Sequence, residues 1–346
     1  MTSADGDGNE MRTVVCVEPG SLQLVDRAGP SAPEPGWASV EIRYIGICGT
    51  DYHIYEGKHP FLEYPRVMGH ELSGVVAAVG GGVELPVGTE VIVNPYIACG
   101  HCVACRRGKP NCCMAIAVLG VHRDGGMCER VTVPAGNLYP TQGLSLAHAA
   151  AVEFLAIGAH AVRRSAMPAG ARALVVGVGP IGIGVALFAR IAGLDVTLMD
   201  MSAERLDAAR AMGFASTVVA GPGAADALMT ITNRDGFDVV FDATGVAASI
   251  EAGFTLVAHG GTYVLVSVVK DTISFADPEF HKREMTLVGS RNATREDFEH
   301  VTASMRAGLI PLDRLVTHRT TLEGVVRDLP RWAHEKAGLI KAVIEA

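Results

Sequence analysis

Residues 173–182 read A-L-V-V-G-V-G-P-I-G, an apolar run that passes directly into Gly177, Gly179 and Gly182, with Pro180 and Ile181 inside the turn. An apolar helical stretch follows. Glycines at this spacing allow a tight strand-to-helix turn and let a pyrophosphate approach the backbone at the helix N-terminus. There, free N–H groups and the helix dipole favour an anion. The next apolar run, D-V-T-L-M-D, ends on Asp200, 18 residues beyond Gly182. A carboxylate at that place hydrogen-bonds the ribose hydroxyls of NAD and repels the 2′-phosphate of NADP. Arg205, one turn further on, joins these as a cofactor-binding candidate. A glycine motif alone is weak, and its alternative is a structural turn beside a surface Asp. The strand–turn–helix context followed by the Asp points instead to NAD.

The surrounding rhythm agrees with this. Helical patterns alternate with short apolar strands at 173–177, 195–200, 237–243 and 261–266, and Ser202 and Gly213 bracket the helix after Asp200 as N-cap and C-terminal stop. Such alternation predicts a doubly wound parallel α/β sheet. Before it, a helix is expected over 147–165, and residues 11–140 carry short β segments broken by Gly and Pro, clearest at 14–17, 38–44, 71–79 and 89–93. A second, β-rich domain is expected there, and 346 residues suffice for two. A helix is expected over 295–307, and residues 1–10 read as a disordered acidic tail.

All 8 cysteines (16, 48, 99, 102, 105, 112, 113 and 128) lie in the first 128 residues. Nothing at the N-terminus resembles a signal peptide, which argues against a secreted disulfide scaffold and for a reducing cytoplasm. A net charge of −8 argues against a nucleic-acid partner. No apolar run free of glycine and proline is long enough for a membrane span. Cys99-x2-Cys102-x2-Cys105-x7-Cys113 is the spacing of a closed tetrahedral zinc shell, a structural site with no open position. Cys112, beside Cys113, leaves the fourth ligand open between the two. Cys16, Cys112 and Cys128 otherwise read as ordinary thiols.

Cys48, in C-G-T-D-Y-H, and His70-Glu71, in G-H-E, are ligand types for a catalytic zinc, which keeps three protein ligands and one open position. Spacing does not find the third ligand. Glu153, the one charged residue in L-A-H-A-A-A-V-E-F-L-A-I-G-A, is a candidate, because a buried carboxylate needs a partner or a metal. A capping or salt-bridged Glu is its alternative.

C-G-T-D-Y-H, G-H-E-L-S-G-V-V, the four-cysteine lobe and V-G-V-G-P-I-G with its downstream Asp occur in this order. Together they resemble the zinc-containing medium-chain dehydrogenases, from about Met11 to the end of the chain. The resemblance implies a GroES-like β-barrel catalytic domain over residues 1–152, with the zinc lobe at about 95–115, a Rossmann NAD-binding domain over 153–290, and a return segment, 291–346, completing the first domain. It implies two Zn²⁺ per chain, one catalytic and one structural, with NAD as hydride carrier and a small-molecule alcohol as substrate. It also implies a homodimer or homotetramer, through the edge of the Rossmann sheet near 261–269. A-V-E-F-L-A-I-G-A-H resembles the sorbitol dehydrogenase branch, where Glu is the third ligand, so Glu153 would join Cys48 and His70. Phe154 stands where that branch commonly has Pro.

Glu71 would then lie near the metal and contact its water, and Asp51 would orient His70. Thr50 would take the substrate proton and His53 would continue the relay. L-G-V-H-R-D-G-G and F-H-K-R-E-M-T-L-V-G-S-R-N resemble bacterial sugar-acid dehydrogenases, the L-gulonate and L-galactonate 5-dehydrogenase group. On that resemblance Arg291 and Asn292 would bind a substrate carboxylate or hydroxyl, with a domain-junction salt bridge as their alternative. Competing readings are a threonine or simple alcohol dehydrogenase, and a catalytically silent NAD-binding sensor.

Overall fold

A computed structural model describes residues 10–59, 62–335 and 338–346. The chain divides into two compact units, 1–153 with 315–346, and 154–314.

The first unit is built around a seven-stranded sheet. Its long strand, Trp37–Ile47, pairs antiparallel with Glu71–Val79, with Arg130–Pro134 and with the C-terminal strand Lys341–Glu345. Alternating apolar positions make its inner face: Val40, Ile42 and Ile45 are buried against Leu72, Val76, Val91, Val93 and Ile344. A separate three-stranded sheet contains Glu10–Glu18, Ser21–Ala28 and Arg66–Val67. The strand 21–28 escaped sequence reading because it is polar and largely exposed. The expected tail over 1–10 falls, except for Glu10, outside the described residues, and Glu10 opens a strand.

The second unit carries a six-stranded parallel sheet. Its order across the sheet is Ser216–Val219, Asp195–Asp200, Arg172–Val176, Phe237–Asp242, Val257–Leu265 and Thr286–Gly289. In chain order this is 3-2-1-4-5-6, the doubly wound dinucleotide-binding arrangement, with its switch point between Arg172–Val176 and Phe237–Asp242. Leu174, Val240 and Tyr263 are fully buried in it. The segment near 261–269 is not the sheet edge. Val257–Leu265 pairs on both sides, and Thr286–Gly289 is the outer strand. The helix expected over 147–165 is two, Leu146–Ala149 and Val152–Ser165.

Residues 291–314, expected with the return segment, belong instead to the second unit. The helix Arg295–Arg306 is capped by Thr294 and Asp297 and buries Phe298, Val301 and Met305. Asp297 also accepts hydrogen bonds from Arg163 on the Val152–Ser165 helix. The chain rejoins the first unit at Leu315.

Candidate active site and metal centres

Three strand ends converge in the first unit. Trp37–Ile47 runs into Cys48 and the short helix Gly49–Tyr55; its neighbours begin at Glu71 and Lys341. Cys48 Sγ, a His70 ring nitrogen and a Glu71 carboxylate oxygen lie within 4.8 Å of one another. Asp51 is fully buried and ties this corner together. Its Oδ2 accepts the Cys48 N–H at 2.8 Å and its Oδ1 accepts the Gly69 N–H at 3.2 Å. The His70 Nδ1 is 3.9 Å from Asp51 Oδ1, beyond hydrogen-bond reach, so Asp51 holds the backbone beside both residues rather than gripping the imidazole directly. Burial opposes protonation of His70, but the charges of Cys48, Asp51 and Glu153 outweigh it and hold its pKa well above the ordinary imidazole value.

Glu153 opens the Val152–Ser165 helix and is 2% exposed. It is not the carboxylate grouped with Cys48 and His70; Glu71 is. Tyr96 donates to Glu153 Oε1, while Glu153 Oε2 is buried with no hydrogen-bond partner among the described residues. Burial pushes the Glu153 carboxyl up to about 7; the His70 charge pulls it down and Glu71 pushes it further up. A half-buried thiol with a buried imidazole and carboxylate within 4.8 Å, and a second buried carboxylate, Glu153, with an oxygen unsatisfied among the described residues, fit a divalent metal of zinc type. Thr50 Oγ1 is 3.9 Å from Cys48 Sγ. His53 lies one turn along the same helix and is exposed.

Sequence reasoning missed two members of this corner. Lys341, 1% exposed, is ion-paired with Glu71 and donates to the Ile47 carbonyl at 3.0 Å. Its signal was a lysine entering the apolar run A-V-I near the C-terminus, where a charge is expected to be compensated. Tyr96 had no such signal. It is aimed by its own backbone, whose N–H donates to Asn94 at 3.0 Å and whose carbonyl accepts from Asn137 at 3.1 Å.

The cysteine lobe forms a second cluster. The sulfurs of Cys99, Cys102, Cys105 and Cys113 lie within 4.8 Å of one another, and Cys112, next in the chain, is exposed. The geometry thus selects Cys113. The Met114 N–H, followed by the Cys105 N–H, lowers the Cys102 thiol to about 6, so this sulfur is readily available as thiolate.

In the second unit, Gly177 follows strand Arg172–Val176 with φ +85°, and Gly179 caps the helix Pro180–Ile191, with Pro180 at its first position. A β-carbon on Gly182 would overlap the Gly177 carbonyl oxygen, so the turn closes only on glycine. Ile181 lies in the first turn of that helix. Asp200, 7% exposed at the end of its strand, accepts the Val178 N–H at 2.7 Å and the Ser202 N–H at 2.8 Å, and Arg205 stands 3.6 Å from it. Arg291 and Asn292 follow Thr286–Gly289, at the same carboxyl edge of the parallel sheet, and Asn292 has φ +52°.

Comparison with known proteins extends these findings. Residues 34–143 match the alcohol dehydrogenase GroES-like domain, and residues 180–307 match the zinc-binding dehydrogenase domain. The chain is 40% identical over 338 residues to the L-galactonate-5-dehydrogenase of Escherichia coli K12, covering 96% of this chain and 98% of that one. It is 32% identical over 297 residues to the 2-dehydro-3-deoxy-L-galactonate 5-dehydrogenase of Pseudoalteromonas atlantica, covering 85% and 87%. Among solved structures, a chain from Escherichia coli CFT073 described as a short chain alcohol dehydrogenase complexed with NADH superposes with a TM-score of 0.92 at 29% identity. The match covers 98% of this chain and all of that one.

Proposed function

We propose, from the premise that this chain belongs to the zinc-binding alcohol dehydrogenase family, that it oxidises a secondary hydroxyl of a sugar acid or polyol with NAD. The group of half-buried Cys48 with buried His70 and Glu71, together with buried Glu153, carries the reading. An open metal site of this composition has no use in a silent NAD-binding sensor. Relatives that act on L-galactonate and its 2-dehydro-3-deoxy derivative support the sugar-acid class.

Zinc, when bound, would supply the Lewis acid that lowers the pKa of the substrate hydroxyl, and NAD would supply the acceptor for the hydride and its two electrons. The chain's own residues do the rest. Cys48, His70 and Glu153 would hold the metal, with Glu71 within reach of the first two, and Asp51 fixes the backbone at Cys48 and at Gly69, next to His70. Thr50 takes the hydroxyl proton and hands it towards exposed His53 and solvent. Gly177, Gly179, Pro180, Ile181 and Gly182 cradle the pyrophosphate at a helix N-terminus. Asp200 receives the ribose hydroxyls, with Arg205 steadying it. Arg291 and Asn292 bind the carboxylate or a hydroxyl of the substrate. The second zinc, on Cys99, Cys102, Cys105 and Cys113, shapes the lobe around it.

We place the enzyme in the cytoplasm as a homodimer or homotetramer; no helix among the described residues is long and apolar enough to cross a membrane. The deciding experiment is an NAD-linked screen of L-galactonate, L-gulonate, sorbitol, simple alcohols and L-threonine, with zinc counted per chain. Turnover on an aldonate or polyol with two zincs is expected. Turnover on L-threonine and on neither sugar class overturns the reading.

A further inference from the structure

The segment that carries Arg291 and Asn292 is pinned at both ends within the second unit. At its start, Gly289 pairs with Leu265 in the parallel sheet, and the Ser290 N–H donates to the Leu265 carbonyl at 2.9 Å. At its end, Thr294 caps the helix Arg295–Arg306. The Thr294 N–H and hydroxyl donate to Asp297 Oδ2 at 2.8 and 2.7 Å, and the same hydroxyl accepts from Arg163 Nη2 at 3.0 Å. Arg163 also donates to both Asp297 oxygens, so one planar fork spans the cap and its partner. The capping box closes within its own helix, so the bond from Arg163 to the Thr294 hydroxyl is surplus to helix formation. Residues 290–293 alone lie between the two anchors; Ala293 is buried and Asn292 is held at φ +52°. A residue other than glycine keeps a left-handed backbone where its surroundings over-determine it, and such positions gather at ligand clamps.

Resting on the substrate role proposed above for Arg291, we infer that Arg163 and Thr294 are positioning residues that hold the 290–293 turn in its left-handed form and so place Arg291 for the substrate carboxylate. Arg163 acts through the turn and not on the substrate, since its guanidinium is committed to Asp297, to Thr294 and, at 3.1 Å, to Glu296. With that grip cut, Asn292 is free to leave the left-handed region and carry Arg291 with it. A charge-assisted hydrogen bond depends steeply on distance and angle, so recognition of the carboxylate bears the loss.

The test measures KM of the holoenzyme for L-galactonate and for sorbitol at saturating NAD, with NAD affinity and unfolding temperature alongside. Thr294→Val removes the hydroxyl without changing any charge, and Thr294→Ser returns it. Arg163→Gln cuts the same grip from the other helix and leaves the capping box intact. Thr294→Val and Arg163→Gln are each expected to raise the L-galactonate KM about fivefold to tenfold, with the sorbitol KM and NAD affinity little changed and Thr294→Ser close to the parent. Loss of a purely structural cap lowers the unfolding temperature and leaves the ratio of the two KM values where it was. The cycle with Arg291→Ala shows the route: a residue that acts through Arg291 then has nothing to act on. Adding Thr294→Val to Arg291→Ala is expected to change the L-galactonate KM by less than about twofold.

A folded Thr294→Val or Arg163→Gln variant with the parental L-galactonate KM overturns the inference. So do equal rises on both substrates, or a full further rise in the Arg291→Ala background. A parent that turns over no aldonate, or an Arg291→Ala variant with the parental L-galactonate KM, instead overturns the substrate reading and takes this inference with it. The two failures are thereby told apart.

Discussion

His160 Nδ1 stands 2.8 Å from Asp297 Oδ2, two buried groups joined across 137 residues of chain within the second unit. Arg163 donates to both Asp297 oxygens, at 2.8 and 3.0 Å, and Thr294 donates through its backbone at 2.8 Å and its hydroxyl at 2.7 Å. Burial pushes the Asp297 carboxyl up, but the donors from His160, Arg163 and Thr294 prevail and hold it well below the usual carboxylate range. Between its folded pKa and the unfolded value of about 3.9 the unfolded chain binds more protons. The stabilisation is therefore complete above about pH 3.9 and is lost as pH falls through the folded pKa. Asp297→Asn is expected to cost about 1.5–3 kcal/mol at pH 7, with the deficit shrinking in acid. Urea unfolding at pH 7, 4 and 3 checks this, and a deficit that grows in acid contradicts it.

The two adjacent cysteines separate cleanly. Cys113→Ser is expected to lower zinc from two to one per chain and to lower the unfolding temperature, because binding to a structural site is folding free energy. Cys112→Ser is expected to keep both zincs, its side chain being exposed and outside the cluster. Metal analysis of the two variants after dialysis decides the matter, and loss of zinc from the Cys112 variant would reassign the ligand.

Asp200 serves two purposes, so its replacement has a graded outcome. Asp200→Asn keeps one oxygen acceptor for the Val178 and Ser202 amides while removing the negative charge that repels a 2′-phosphate. The preference for NAD over NADP in kcat/KM is expected to fall by about tenfold or more, about 1.4 kcal/mol of discrimination. Steady-state kinetics with both cofactors measures it. An unchanged ratio, with both cofactors equally impaired, would mean that Asp200 acts on the loop alone.

Arg291 is expected to recognise charge. In Arg291→Ala, KM for an aldonate should rise about tenfold to a hundredfold, the loss of one charge-assisted hydrogen bond, while KM for a neutral polyol changes little. Parallel kinetics on L-galactonate and sorbitol test this; equal losses on both would make Arg291 a structural residue.

The parts of the site read from sequence are those whose chemistry is local. Gly177 to Gly182 and Asp200 carry their meaning in spacing, because the turn and the following strand are built from consecutive residues. The four cysteines do so as well, down to the uncertainty between neighbours that burial then resolved. The parallel character of the second unit's sheet follows from the same alternation of apolar runs and helices, but its order and its outer strand Thr286–Gly289 do not. Other relationships depend on pairings between distant segments. Glu71 meets Lys341 only because two strands flank Trp37–Ile47, and Tyr96 meets Glu153 only through loop geometry. The point of return at Leu315 was hidden for a similar reason: Asp297 is bound to the second unit by His160 and Arg163, residues more than a hundred positions earlier.

The interleaving of the two units bears on how the molecule is made. Domains generally fold as units in the order in which they leave the ribosome. Here every residue of the 154–314 unit emerges before the other unit has received its closing strands. The ammonium of Lys341 bonds to a carbonyl synthesised 294 positions before it. During translation the nucleotide-binding half can therefore mature while its partner waits as an unfinished barrel, with Glu71 uncompensated. In that order the ion pair of Glu71 with Lys341 is among the last contacts of the first unit to form.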